Sequence, residues 1–159
     1  MQAIFMVLFT AFAVAADQIS KYLVLSHIPF SGQVDVLPGV VSLTYVRNYG
    51  AAFSSFQGQQ WLFAAVFALF TVAVVWEYRK KHWPFTNFER WCIAAIYAGG
   101  LGNMIDRVRL GYVVDMIQTE FVEFPVFNVA DCFITCGCIV LIFHLIFCNR
   151  AFWKDEKKK

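Results

Sequence analysis

Charge is what this chain lacks most. Only 15% of its 159 residues are Asp, Glu, Lys or Arg, while 60% are hydrophobic and 18% aromatic. Soluble domains carry about 25% charged residues, and a soluble helical core this poor in charge could not cover its own surface. The composition therefore excludes an ordinary soluble protein and indicates an integral membrane protein. Proline is scarce too, and Pro29, Pro38, Pro84 and Pro125 all fall between long apolar runs. The three histidines are scattered, and there is no Gly-x-Ser-x-Gly and no His-Glu-x-x-His. Serine hydrolase and zinc protease chemistries lack their parts. The five cysteines (Cys92, Cys132, Cys136, Cys138 and Cys148) lie in or at the ends of apolar runs, with no paired pattern in a loop. A metal site built from Cys132, Cys136 and Cys138 would need thiolates in lipid, so they read as small buried hydrophobes. A magnesium site from Asp106, Asp115 and Asp131 would want further acids, and basic groups for phosphate. No metal and no cofactor is expected.

Four apolar stretches remain, and they predict four transmembrane helices at about 3–25, 61–76, 91–110 and 129–148. At about 1.5 Å per residue the longer of these cross roughly 30 Å of hydrocarbon. Residues 1–16 imitate a secretory signal ending in AVAAD, but no basic residue precedes Lys21 and the apolar run continues to Leu25. The second stretch has aromatic residues at both ends, as interfacial belts do, and offers no chemistry. In the third, Ala95, Gly99, Gly102, Asn103 and Asp106 make a small-residue face that another helix can approach. Between the first two lies an outer flap, 28–58, punctuated by Pro and Gly. Its VDV and VVSLTYV runs suggest a hairpin across Pro38–Gly39. Phe53 and Phe56 beside Trp61 suggest a helix in the membrane interface. The whole chain, 1–159, reads as a single membrane domain: all-α, with a small cradle of strands.

Nine of the 13 Lys and Arg fall in two clusters, Arg79 to Arg90 and Arg150 to Lys159, and the other four (Lys21, Arg47, Arg107, Arg109) lie at the opposite ends of the same spans. By the positive-inside rule both clusters and both termini are cytoplasmic. The Lys-rich tail serves topology and lipid headgroups, and no nucleic-acid partner is expected.

The polar residues then converge. Asn103, Asp106, Arg107, Asp115, Asn128 and Asp131 sit at or near the ends of two apolar helices. Ionisable groups there are costly and mark functional sites. Asp115 and Asp131 flank a turn-rich connection and can meet at one mouth. Two close carboxyls cannot both ionise easily, so one acts as base toward water while the other keeps its proton. Arg107 or Asn103 could stabilise the charge that develops on an attacked carbonyl. Asp131 alone could simply cap a helix. Asp17 and Lys21, four apart on one face, make either a structural ion pair or a contact to substrate; His144 is read as structural. A small transporter or channel subunit would also bury Asn and Asp. Here, however, the acids gather at one face and no polar line continues to the other side.

Five pieces in order, DQISK (17–21), NYGAAFS (48–54), GGLGNMIDR (99–107), GYVVDM (111–116) and FNVAD (127–131), resemble the lipoprotein signal peptidases, the type II signal peptidases of bacteria. Met116 stands where Phe is more usual. The resemblance implies a monomeric aspartyl endopeptidase of the bacterial inner membrane, with its active site near the periplasmic face. Its substrates would be prolipoproteins, cut just before a cysteine bearing a diacylglyceryl group. It implies Asp115 and Asp131 as the catalytic pair, Asn48, Asn103, Arg107 and Asn128 lining the site, and Asp17 and Lys21 in support. Globomycin-type cyclic peptides would block it.

Overall fold

The computed structural model describes residues 1–50 and 58–154. In chain order it holds α1 (Gln2–His27), β1 (Gln33–Leu37), β2 (Val41–Asn48), α2 (Gln60–Lys80), α3 (Asn87–Leu110), β3 (Val113–Thr119), α4 (Val129–Phe147) and the short α5 (Arg150–Lys154). Most of the flap is described, but Phe53, Phe56 and hence the expected interfacial helix lie outside the described residues.

Local chemistry sets the helix ends. Ile28 is extended (φ −112°, ψ 118°), as the clash with a following proline demands, and α1 stops there. A capping box, Thr86 with Glu89, opens α3, and Gly111 at φ 80° closes it; only glycine takes that left-handed conformation without strain. Asn128 and Asp131 form a second capping box at the start of α4.

Three helices, α1, α2 and α4, are long and apolar enough to cross a membrane, with window hydropathies of 1.8, 1.8 and 2.3. The third expected span is a helix of 24 residues, but it is not among them. Glu89, Asn103 and Asp106 lie on α3 and are buried against its neighbours, and with Arg90, Arg107 and Arg109 on the same helix they lower its hydropathy below that of the other three. The lipid-facing residues run the other way: Phe12, Leu69, Val72, Ile139 and Phe143 are all more than half exposed in the isolated chain, an apolar surface no soluble monomer presents.

α3 packs against α1, α2 and α4, and glycine permits the closest approaches. A Cβ on Gly102 would lie 2.6 Å from the Asp17 carboxylate, and one on Gly99 would collide with the Ala130 carbonyl. The expected hairpin is present, β1 antiparallel to β2. A third strand is added: β3, a stretch for which the sequence predicts no element, pairs antiparallel with β2 in the order β1-β2-β3. Val24, Ile28, Tyr45, Val114 and Met116 form the small core that seats this sheet on the end of α1. Met116, the departure from the usual Phe, is simply one of these packed residues.

Candidate active site

The register of β2 on β3 decides which side chains meet. Leu43 faces Ile117 and Val46 faces Asp115, so β2 carries one extra residue between them. Without that bulge Tyr45 would oppose Asp115, and Asn48 would project from the other face. With it, Asn48 shares a face with Asp115 and donates Nδ2 to Asp115 Oδ2 at 2.9 Å.

From there a chain of amides connects the two acids. Asn128 donates Nδ2 to Asp115 Oδ1 at 2.6 Å and to Asn103 Oδ1 at 3.2 Å. Asn103 in turn donates Nδ2 to Asp131 Oδ1 at 2.8 Å. The other Asp131 oxygen accepts the Asn128 backbone N–H at 3.2 Å, closing the capping box. The amides thus orient both carboxylates and leave protons to the acids alone.

Beneath lies Lys21, 2% exposed. Its ammonium reaches Asp17 Oδ2 at 2.9 Å, Asp106 Oδ2 at 3.0 Å and Asn103 Oδ1 at 2.9 Å. Three donors meet three acceptors, which is what a charge taken out of water requires. Each acid also holds backbone: Asp17 accepts the Ala130 N–H at the start of α4, and Asp106 accepts the Val114 N–H beside Asp115. One buried cation therefore ties α1, α3, α4 and β3 together.

Asp115 and Asp131 open onto one cavity of about 710 Å³, which Asn48, Asn103 and Arg107 also line. Asn128, Asp17 and Lys21 do not line it and stand behind its wall. For Asp17 and Lys21 the geometry is that of an ion pair locked to neighbouring helices. Burial pushes the Asp115 carboxyl up to about 6; the charge of Asp131 adds to the rise, while the amide donors and Lys21 oppose it. Arg107 donates to the carbonyls of Gly50 (2.9 Å) and Asn103 (3.3 Å), and its guanidinium lies 4.3 Å over the ring of Phe63.

Sequence reasoning passed over three contributors. Gln18 donates to Asp106 Oδ1 at 2.9 Å and to the Gly102 carbonyl; a polar residue beside Asp17 in an apolar helix was its available signal. Phe63 and Gln60, which donates to the Gly111 carbonyl at 2.9 Å, come from α2, the span read as offering no chemistry. Nothing in an apolar run distinguishes Phe63 from its neighbours.

Fold and site together define a class: a helical membrane protein with a cavity lined by carboxylates and amides at the ends of its helices. A sequence model of signal peptidase II matches residues 9–147. The lipoprotein signal peptidase of Streptococcus agalactiae serotype Ia is 44% identical over 159 residues, covering 98% of this chain and 96% of that protein. The lipoprotein signal peptidase of Streptococcus pyogenes serotype M6 is 43% identical over 143 residues, 90% of this chain and 89% of that one. A bacterial membrane enzyme solved at 2.3 Å by the in meso method superposes with a TM-score of 0.84 at 31% identity, covering 98% of this chain and 93% of its own. The chain belongs to the signal peptidase II family and is a membrane protease.

Proposed function

We propose that this protease removes the signal peptide from diacylglyceryl-modified prolipoproteins, cutting before the lipidated cysteine, with Asp115 and Asp131 as an aspartyl dyad. The observation that carries the reading is the pair of carboxyls, delivered by β3 and α4 to one cavity and bridged through Asn128 and Asn103. One carboxylate takes a proton from water, which attacks the scissile carbonyl. The other, still protonated, donates a hydrogen bond to that carbonyl oxygen and then delivers its proton to the leaving amine. Asp115, pushed up to about 6, exchanges a proton readily near neutral pH. Arg107 sits at the same wall with its buried Nε unpartnered among the described residues, and it supplies positive charge to the developing oxyanion. Asn48, Asn103 and Asn128 aim the carboxylates, while Lys21 and Asp17 hold the helices that carry them.

The rest of the reading follows from charge and length. α3 joins the three apolar helices as a fourth span, its polar residues turned inward, so 1–159 forms one membrane domain. Both termini then lie on the cytoplasmic side of the inner membrane and the cavity near its outer face. Reporter fusions at Gly39 and Trp83 should report opposite compartments. The cavity wall has apolar stretches (Val113, Phe127, Ile134), and each buried acyl methylene contributes about 0.8 kcal/mol. The lipid on the substrate is therefore a main source of affinity, and globomycin-type peptides would compete for this same cavity. The test is cleavage of a lipidated precursor in detergent beside its unlipidated form. Rapid cutting of the first and poor cutting of the second is expected; equal turnover would remove the lipid from the reading.

A further inference from the structure

A second cavity, of about 740 Å³, lies on another face of α3 and toward the other end of the bundle. It is a groove with α3 as its floor and α1 and α2 as its walls. Ala11 and Val14 come from α1, Val75 from α2 and Ala94 from α3. It follows α1 from Ala3 to Ala15, about 18 Å at 1.5 Å per residue, or roughly one leaflet of a hydrocarbon core about 30 Å thick. Its size is that of a ligand site, about 300–1,000 Å³.

The mouth carries charge. Arg79, Arg90 and Glu77 line it. Glu77 is already engaged, with Arg90 Nη2 at 3.5 Å and the Trp83 N–H at 3.1 Å on its two oxygens. Arg79 has no carboxylate partner among the described residues, and Lys80 and Lys81 follow it. Trp76 and Tyr78, both nearly half exposed, place this level at the headgroup boundary, where amphipathic rings settle. An apolar slot one leaflet long, ending at headgroup depth in a guanidinium with no carboxylate partner among the described residues, matches one kind of molecule.

We propose that this groove is a binding site for one anionic phospholipid of the leaflet away from Asp115, its acyl chain between α1 and α2 and its phosphate on Arg79. Among the described residues α2 packs chiefly on α3, and the lipid supplies packing between α2 and α1. The site is independent of the proteolytic reading.

The test is native mass spectrometry of the full chain in detergent with equal phosphatidylglycerol and phosphatidylcholine of matched acyl chains. One retained phosphatidylglycerol per chain is expected. Arg79→Gln should lower that retention about five-fold, the worth of one interfacial cation. Ala11→Phe, which fills the slot, should abolish retention while precursor cleavage continues. Should Ala11→Phe fail to fold, the Arg79→Gln comparison stands by itself. Equal retention of the two lipids, or unchanged retention in Arg79→Gln, overturns the proposal. So does a photo-cross-linker at Val14 that captures the signal peptide of the substrate rather than lipid.

Discussion

α3 carries a buried polar cluster at each end, and the two are built for different purposes. Near Leu110, Lys21 with Asp17, Asp106 and Asn103 backs the cavity where Asp115 and Asp131 emerge. Near Asn87, Glu89 is wholly buried and accepts from the Thr86 N–H (2.6 Å), Asn149 Nδ2 (2.8 Å) and His144 Nδ1 (2.8 Å). Asn149 is itself closed off, donating also to the Pro84 carbonyl and accepting the Phe152 N–H. Both clusters bury charge at a helix end. Only the first leaves carboxylates on the wall of a cavity of about 710 Å³. Burial of an acid is thus no mark of chemistry; an oriented acid that still faces open space is. His144 belongs to the closed cluster.

The largest effect that would sharpen this contrast is on the dyad. Asp115→Asn and Asp131→Asn nearly preserve shape but cannot exchange the proton. Each should lower turnover by at least ~10³-fold, within the ~10²–10⁴ of general acid–base catalysis. The double variant should be scarcely worse, because residues acting as one unit are not additive. Asp106→Asn should be milder, about ten-fold. An Asp115→Asn enzyme that folds and cleaves at near the wild-type rate would end the mechanism.

Next comes Lys21→Met, which leaves Asp17 and Asp106 buried without their cation. Removing one partner of a buried pair costs about 3–5 kcal/mol, so both melting temperature and activity should fall. Glu77→Gln, at the other end of the bundle, is the control for a partly buried pair (its carboxylate 11% exposed) and should leave activity intact.

The pH dependence of stability probes Asp115 directly. Its carboxyl is pushed up to about 6, against about 3.9 for an unfolded Asp, so folding favours the neutral form. The stability that form confers is fully present below about pH 4 and lost as pH rises through about 6, an order-of-magnitude loss of about 3 kcal/mol. Thermal unfolding of wild type against Asp115→Asn at pH 4.5 and 7.5 should show wild type losing ground at the higher pH. A constant difference would mean that Asp115 titrates normally. Activity itself should be bell-shaped, with one carboxyl ionised and one protonated.

Glu89→Gln tests the closed cluster. It weakens one acceptor among several, for a loss of about 1–3 kcal/mol in stability, and the activity of the folded fraction should not change. A loss of kcat at constant folded fraction would break the distinction between the two ends. Smallest of all, replacing the five cysteines by Ala should leave cleavage within a few-fold, since the proposed mechanism uses no thiol; activity lost and then restored by added zinc would point to a metal instead.

Much of this was legible because a membrane taxes polarity. Long uncharged runs announce helices, and an Asp, Asn or Arg beside one stands out against a nearly blank background; that marks Asp17, Lys21, Asn103, Arg107, Asp115, Asn128 and Asp131, whereas Asn48 is marked only by the resemblance of NYGAAFS to the family. The capping residues of α4 and the Pro38–Gly39 hairpin are local, and local chemistry is written in adjacent residues. What the sequence did not disclose depends on contacts between distant segments. β3 carries no strand signal of its own beside Gly111 and the turn-rich connection around Pro125, and its pairing with β2 makes it a strand. The bulge that turns Asn48 toward Asp115 is a matter of register between those two strands. Phe63 and Gln60 lie in an unremarkable apolar helix until α3 brings Arg107 and Gly111 against them. The residue types were set by composition and spacing; which of them face the cavity and which stand behind its wall was decided by tertiary packing, because a side chain's neighbours across helices are not its neighbours in the chain.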